Sequence, residues 1–211
     1  MTRLAAAERA ALCDLLETVG PEAPTLCEGW TAYDLAVHLA VRDRDHLAAL
    51  GAVVPALADR TARAAREFKD THSFAEAIEL VRSGPPAWGP VGLPLLGDQL
   101  NLFEYVIHYA DVHRAQPGWQ PREVPAELND AIWSRLRVVG RMLYRNAPVG
   151  VQAERGDGTS ITLRKGISPV TLVGEPIEVA LFGFNRRYAA TLEFRGSSAA
   201  IARLHTAHLG I

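Results

Sequence analysis

Cysteine is the scarcest informative residue here: Cys13 and Cys27 are the whole supply in 211 residues. Two thiols are too few for a disulfide framework, and neither sits in a Cys-x-x-Cys pair or beside a cation that would activate it. Both are read as small buried hydrophobes. An excess of either charge is missing as well, since 22 Lys and Arg face 24 Asp and Glu for a net charge of −2. With no basic patch to meet a phosphate backbone, nucleic acid is not an expected partner. Long uncharged apolar runs are also lacking; the N-terminal stretch carries Arg3, Glu8, Arg9 and Asp14. That argues against a signal peptide and a membrane span, and the expectation is a cytoplasmic protein without a membrane partner. No internal repeat or low-complexity tract occurs. What remains, 48% hydrophobic and 22% charged residues, is the profile of a globular protein with a proper core.

Hydrophobic periodicity divides the chain into a helical two-thirds and a mixed remainder. A first helix is expected from about Thr2 to Thr18, with Leu4, Ala11, Leu12, Leu15 and Leu16 inward and Gly20-Pro21 as the stop. The loop PEAPTLCEGW follows, and its Trp30 is read as a packing anchor of the hydrophobic-staple kind. Thr31 and Asp34 form a capping-box-like start for a second helix running to near Gly51. The Ala- and Arg-rich stretch from Val54 to Phe68 reads as helical, and Ser73 opens a short helix closed by Gly84-Pro85-Pro86. The loop PPAWGPVGLP, with Trp88, reads equally as the rim of a site or as a connector. A helix ending before Gln116-Pro117-Gly118 and another, AELNDAIWSRLRVVGRMLYRN, complete a bundle. After Pro148 the pattern turns to alternation: a hairpin around Gly156-Asp157-Gly158, strands in VTLVG and ATLEFRG, a crossing helix in EPIEVALFGF and a terminal helix in SSAAIARLHTAHL. The fold class is therefore α+β, with a helical bundle over 1–147 and a small α/β unit over 148–211.

Within NLFEYVIHYADVHRA, Glu104 and His108 stand four residues apart in a helix that is apolar nearly all round. At 100° per residue Glu104, His108 and Asp111 fall within about 60° of one another. Leu100, Phe103 and Ile107 flank this stripe, and Leu102, Val106 and Tyr109 lie opposite. An enclosed carboxylate with neither partner nor metal costs several kcal/mol or loses its charge. The plain alternative is an i,i+4 pair worth only about 0.2–0.5 kcal/mol. His38, two turns into the second helix, supplies a third group, and two imidazoles with one carboxylate are a ligand set of open zinc sites. Against this, Asp34, His38, Arg42 and Asp45 share one helix face and also read as a solvated ion-paired stripe. His46 and His113 are angularly offset from the ligand stripe, and His205 and His208 are expected on the surface. Asp111 is placed to accept the second ring N–H of a ligand histidine, whereas Asp34 fits the cap at least as well.

The pattern W-T-x-x-D-L-A-x-H-L-A, followed by E-x-x-x-H-x-x-D, resembles the DinB-like superfamily in its branch around mycothiol-dependent maleylpyruvate isomerases. The opening AAAERAALCDLLETVGPEAPTLCEGW and the segment VHRAQPGW are similar to a metal-binding subgroup of that superfamily. The resemblance implies a four-helix bundle in which His38, Glu104 and His108 bind a divalent metal. It further implies that GEPIEVALFGFNRRYAATLEFRG belongs to a small sterol-carrier-like α/β unit. There the isomerase branch ends an aliphatic run in Gly-Arg, and this chain has Asn185-Arg186. Arg186 is thereby implied as a carboxylate-gripping catalytic residue, with Arg187 equally placed in the sequence.

The function expected from this resemblance is a metal-dependent thiol transferase or isomerase acting on a small-molecule thiol, mycothiol by family, and an electrophilic substrate. Zinc suits two imidazoles and a carboxylate, and nickel or iron accepts the same set. Two alternatives stand beside it: a non-catalytic metal-binding or ligand-carrying protein, and a metal-dependent hydrolase.

Overall fold

The computed structural model describes residues 3–45, 58–86 and 97–210. His46 and the Trp88 loop lie outside them. The chain divides into two compact units, residues 1–121 and 122–211.

The first unit is built from five helices: α1 (Arg3–Val19), α2 (Ala32–Arg44), α3 (Ala58–Thr71), α4 (Phe74–Ser83) and α5 (Gly97–His113). Their ends follow local chemistry. The Thr31 hydroxyl accepts the Asp34 backbone N–H while the Asp34 carboxylate receives the Thr31 N–H, and Ser73 and Glu76 repeat this reciprocal cap at α4. Gly20, at φ +83°, closes α1 through its N–H bond to the Leu16 carbonyl. Leu12, Cys13 and Leu16 of α1, Leu35 and Leu39 of α2, Ile78 and Val81 of α4, and Tyr105 and Val112 of α5 form one buried cluster. Cys13 is fully enclosed as a hydrophobe, and burial pushes its thiol up to about 11.

The second unit begins with α6 (Ala126–Leu143) and continues with β1 (Val151–Glu154), β2 (Ser160–Arg164), β3 (Val170–Val173), α7 (Pro176–Gly183), β4 (Glu193–Arg195) and α8 (Ser198–Thr206). The strands form one sheet in the order β2-β1-β3-β4, with β1 antiparallel to β2 and parallel to β3, and β3 antiparallel to β4. Val151 and Ala153 pair with Val170 and Leu172, and all four are buried. Alternate positions thus line one covered face of the sheet. The hairpin turns at Gly158, φ +80°, with the Asp157 carboxylate accepting the Thr159 N–H. Helix α6 packs within this unit against α7 and β2, so the observed division lies on the opposite side of α6 from the junction at 147/148. The buried stripe of α6, including Ile132 and Leu136, is visible in the sequence, but what covers it is a tertiary matter.

Helix α7 is buried at every position, and Tyr144 donates its hydroxyl to the Val179 carbonyl at 2.7 Å. Its C-terminus is a Schellman motif: the Asn185 N–H bonds the Phe182 carbonyl and the Arg186 N–H bonds the Leu181 carbonyl. Asn185 takes the left-handed conformation at φ 69°. Asparagine is a common non-glycine residue there, which explains how Asn-Arg stands where a Gly-Arg ending is expected. N185G is expected to keep the melting temperature within a degree or two of wild type, whereas N185A lowers stability by about 1 kcal/mol. Denaturant titration reads this difference, and equal stability of the two variants would contradict the cap.

Candidate metal centre

Two helices and one loop of the first unit bring the site together. The capping box fixes where α2 starts and so places His38, while the apolar flanks of α5 hold Glu104, His108 and Asp111 against it. His38 Nε2 lies 3.1 Å from Glu104 Oε1, and His108 Nε2 lies 3.3 Å from the same oxygen. The two imidazoles meet edge to face with ring centroids 5.3 Å apart. One ligand atom from each of His38, Glu104 and His108 lies within 4.8 Å of the other two. Around a tetrahedral zinc at ~2.0–2.1 Å, ligand atoms stand roughly 3.3 Å apart, so this donor set fits a small divalent ion.

Asp111 is completely buried, and its Oδ2 accepts from His108 Nδ1 at 2.9 Å. That bond occupies Nδ1 and leaves Nε2 directed at Glu104 and His38. Asp34 is engaged elsewhere, in the α2 cap and with Lys69 Nζ at 2.5 Å. His113 stacks on Tyr109, and His205 and His208 are exposed in the second unit; none of the three belongs to a ligand cluster among the described residues.

Three residues at the site take places that the sequence reading did not give them. Arg42, one turn after His38, is buried and places Nε 3.4 Å from Glu104 Oε1 while Nη1 donates to Asp43 at 2.9 Å. Its spacing from His38 is visible in the sequence, and at this position the face that also reads as a solvated stripe is buried. Trp30 is 37% exposed with its ring 5.1 Å from the His38 ring. The expected packing anchor is thus a half-open wall beside a candidate ligand. Cys27 is half-buried, and its Sγ is 3.2 Å from Asp111 Oδ2. Cys27, His108 and Asp111 form a second cluster of potential ligand atoms that shares His108 with the first. A lone cysteine in a proline-rich loop carries no spacing signal that links it to a helix more than eighty positions away.

Electrostatics tie the cluster together. Burial alone would raise the Glu104 carboxyl, but the Arg42 charge and hydrogen bonds from His108 and His38 hold it well below the ordinary range. Burial opposes charge on His108 too, yet hydrogen bonds with Asp111, Cys27 and Glu104 push it well above the ordinary imidazole value. The Asp43 carboxyl is raised by burial, with Arg42 opposing. In the second unit Arg186 Nη1 donates to the Phe184 carbonyl at 2.7 Å, while Arg187 binds the carbonyls of His205 and Ala207.

No helix among the described residues is long and apolar enough to cross a membrane. Among curated proteins no significant match is found. Among solved structures, the crystal structure of the mycothiol-dependent maleylpyruvate isomerase is similar at a TM-score of 0.57 and 17% identity over 90% of each chain. A histidine-to-alanine mutant of that isomerase is similar at a TM-score of 0.51 and 15% identity, again over 90% of each chain. At such identity the likeness establishes a shared fold. Residues 2–113, which carry His38, Glu104, His108, Cys27 and Asp111, match the family described as the mycothiol maleylpyruvate isomerase N-terminal domain. With more than half of its length matched, the chain belongs to the mycothiol maleylpyruvate isomerase N-terminal domain family.

Proposed function

We propose that this protein is a metal-dependent thiol transferase or isomerase that uses mycothiol at the His38, Glu104 and His108 site. The observation that carries the reading is the convergence of two imidazole nitrogens on one carboxylate oxygen inside the family-matched segment. His38, Glu104 and His108 would hold the ion, with zinc favoured by the donor set and nickel or iron as substitutes. A divalent ion there supplies a Lewis-acid centre that keeps a small-molecule thiol as the thiolate near neutral pH, a nucleophile toward an electrophilic carbon. Asp111 fixes the His108 tautomer, and Trp30 shields one side of His38 from water. Arg42 balances the Glu104 carboxylate and limits its movement.

The protein is expected to purify with about one divalent ion per chain, and H38A, E104A or H108A each to lower metal affinity by more than ~100-fold. Elemental analysis after dialysis against a chelator reads this; stoichiometric metal retained by H108A would remove that residue from the ligand set. Hydrogen bonds with Asp111, Cys27 and Glu104 favour a proton on His108 against the opposing effect of burial, and a cation at Nε2 competes with it. Affinity therefore rises with pH, and calorimetry in buffers of different ionisation enthalpy should read net proton release on metal binding. Absence of proton release would contradict this account of His108.

Mycothiol added to the cobalt-substituted protein should produce intense sulfur-to-cobalt charge-transfer absorption. No spectral change at saturating thiol would favour a metal-binding protein or a hydrolase instead. For the anionic part of the substrate we assign Arg186, on its place in the Asn185-Arg186 pair that stands where the resemblance expects Gly-Arg. R186A should lower kcat/KM about tenfold or more toward carboxylate-bearing electrophiles and leave metal content unchanged. An equal loss with neutral electrophiles would contradict a carboxylate grip.

A further inference from the structure

The loop between α1 and α2 is built around its own hydrogen bonds. Thr25 Oγ1 accepts the Cys27 N–H at 3.1 Å and donates to the Trp30 carbonyl at 2.9 Å, while the Trp30 N–H closes a turn onto the Cys27 carbonyl at 3.0 Å. Pro24 and Thr31 form an antiparallel bridge across its base. Two bonds fasten the loop to α5 and the turn that follows it: the Leu26 N–H to the Asp111 carbonyl at 2.9 Å, and Gln116 Nε2 to the Pro24 carbonyl at 3.0 Å. Held at both ends, the loop delivers the Cys27 thiol to Asp111 Oδ2, the oxygen that also receives His108 Nδ1.

Asp111 is wholly buried, so no bulk water helps to orient its carboxylate. Each donor that a separate segment sets on Oδ2 restrains rotation about the carboxylate's terminal torsion, which is otherwise broad and roughly two-fold. We propose that Cys27 is a positioning residue of the metal centre. Its S–H, presented by the Thr25-braced loop, locks Asp111 in the rotamer that keeps His108 Nδ1 occupied and Nε2 facing Glu104 and His38. This rests on the reading of His38, Glu104 and His108 as metal ligands and extends it to a residue that touches neither the ion nor substrate. Trp30 is placed beside His38 by the same loop, so the segment serves both imidazoles.

The test compares C27A, C27S and D111N with wild type by cobalt affinity in chelator competition, by the cobalt ligand-field spectrum, and by long-range proton–nitrogen NMR of the His108 ring in the metal-free protein. Loss of an outer-shell partner costs about 10–100-fold in metal affinity, which is the expectation for D111N. C27A, which removes a donor to Asp111 and the Cys27 contact with His108, should lose roughly 3–10-fold on the same scale, with an altered cobalt spectrum and a changed His108 ring signal. Serine keeps a hydroxyl donor, so C27S should recover most of the affinity and the wild-type spectrum. Cobalt affinity and spectrum of C27A equal to wild type would overturn the proposal. So would a loss in C27A that C27S does not repair while both variants melt like wild type. A sulfur-to-cobalt band without added thiol, abolished in C27S, would overturn it differently by making Cys27 a ligand. A wild-type protein that binds no cobalt fails the ligand reading itself, whatever Cys27 does, and the His108 NMR signals then still decide whether the thiol orients the ring.

Discussion

A carboxylate placed between α2 and α5 must be met by cations or donors, and Glu104 is met from both helices. His38 and Arg42 reach it from α2 and His108 from its own helix, all converging on Oε1. Losing all of them would leave a charge unpaired in a half-buried place, and unpaired burial is costly. The placement of α2 by its capping box, the enclosure of α5 and the fastening of the 20–31 loop all keep donors around that oxygen. The same constraint makes the centre chemically useful. Groups that share protons in the absence of an ion are groups whose lone pairs face a common point, and a divalent cation satisfies them together.

Around this centre the protein arranges successive layers of support. Asp111 acts on His108 from the deeply buried side, Cys27 on Asp111, and Thr25 on the Cys27 loop. On α2, the Asp43 carboxylate holds the Arg42 guanidinium, and Arg42 in turn restrains Glu104. Asp43 is fully buried, and its second oxygen has no hydrogen-bond partner among the described residues. A buried carboxylate kept under those conditions is paired at a cost, which its neighbour's contact with the Glu104 carboxylate helps to explain. Membership in the mycothiol maleylpyruvate isomerase N-terminal domain family gives this arrangement its chemical context.

The sequence made the helices legible where local signals are strong. Thr31-x-x-Asp34 and Ser73-x-x-Glu76 mark two starts as capping boxes, and Gly20-Pro21 and Gly84 mark two stops. That Glu104, His108 and Asp111 share a face was legible because they form a polar stripe on an otherwise apolar helix, and His38 was picked out on a second helix by the motif around it. Trp30, Arg42 and Cys27 were read otherwise for an identifiable reason. Their roles arise from contacts across elements: Trp30 with His38, Arg42 with Glu104 and Cys27 with Asp111. Periodicity reports which face is buried, not what covers it. The same limit applies to α6, whose apolar stripe predicts burial but not its packing on α7 and β2. At Asn185 the backbone takes a left-handed φ that asparagine tolerates, a conformation that also suits glycine.

The most direct test of the account is anomalous diffraction from crystals of the metal-loaded protein, recorded on either side of the metal's absorption edge. The account predicts one strong anomalous peak within bonding distance of His38 Nε2, a Glu104 carboxylate oxygen and His108 Nε2, with Asp111 still on His108 Nδ1. A peak elsewhere, or one ligated by Cys27 and Asp111 in place of Glu104 and His38, would contradict it.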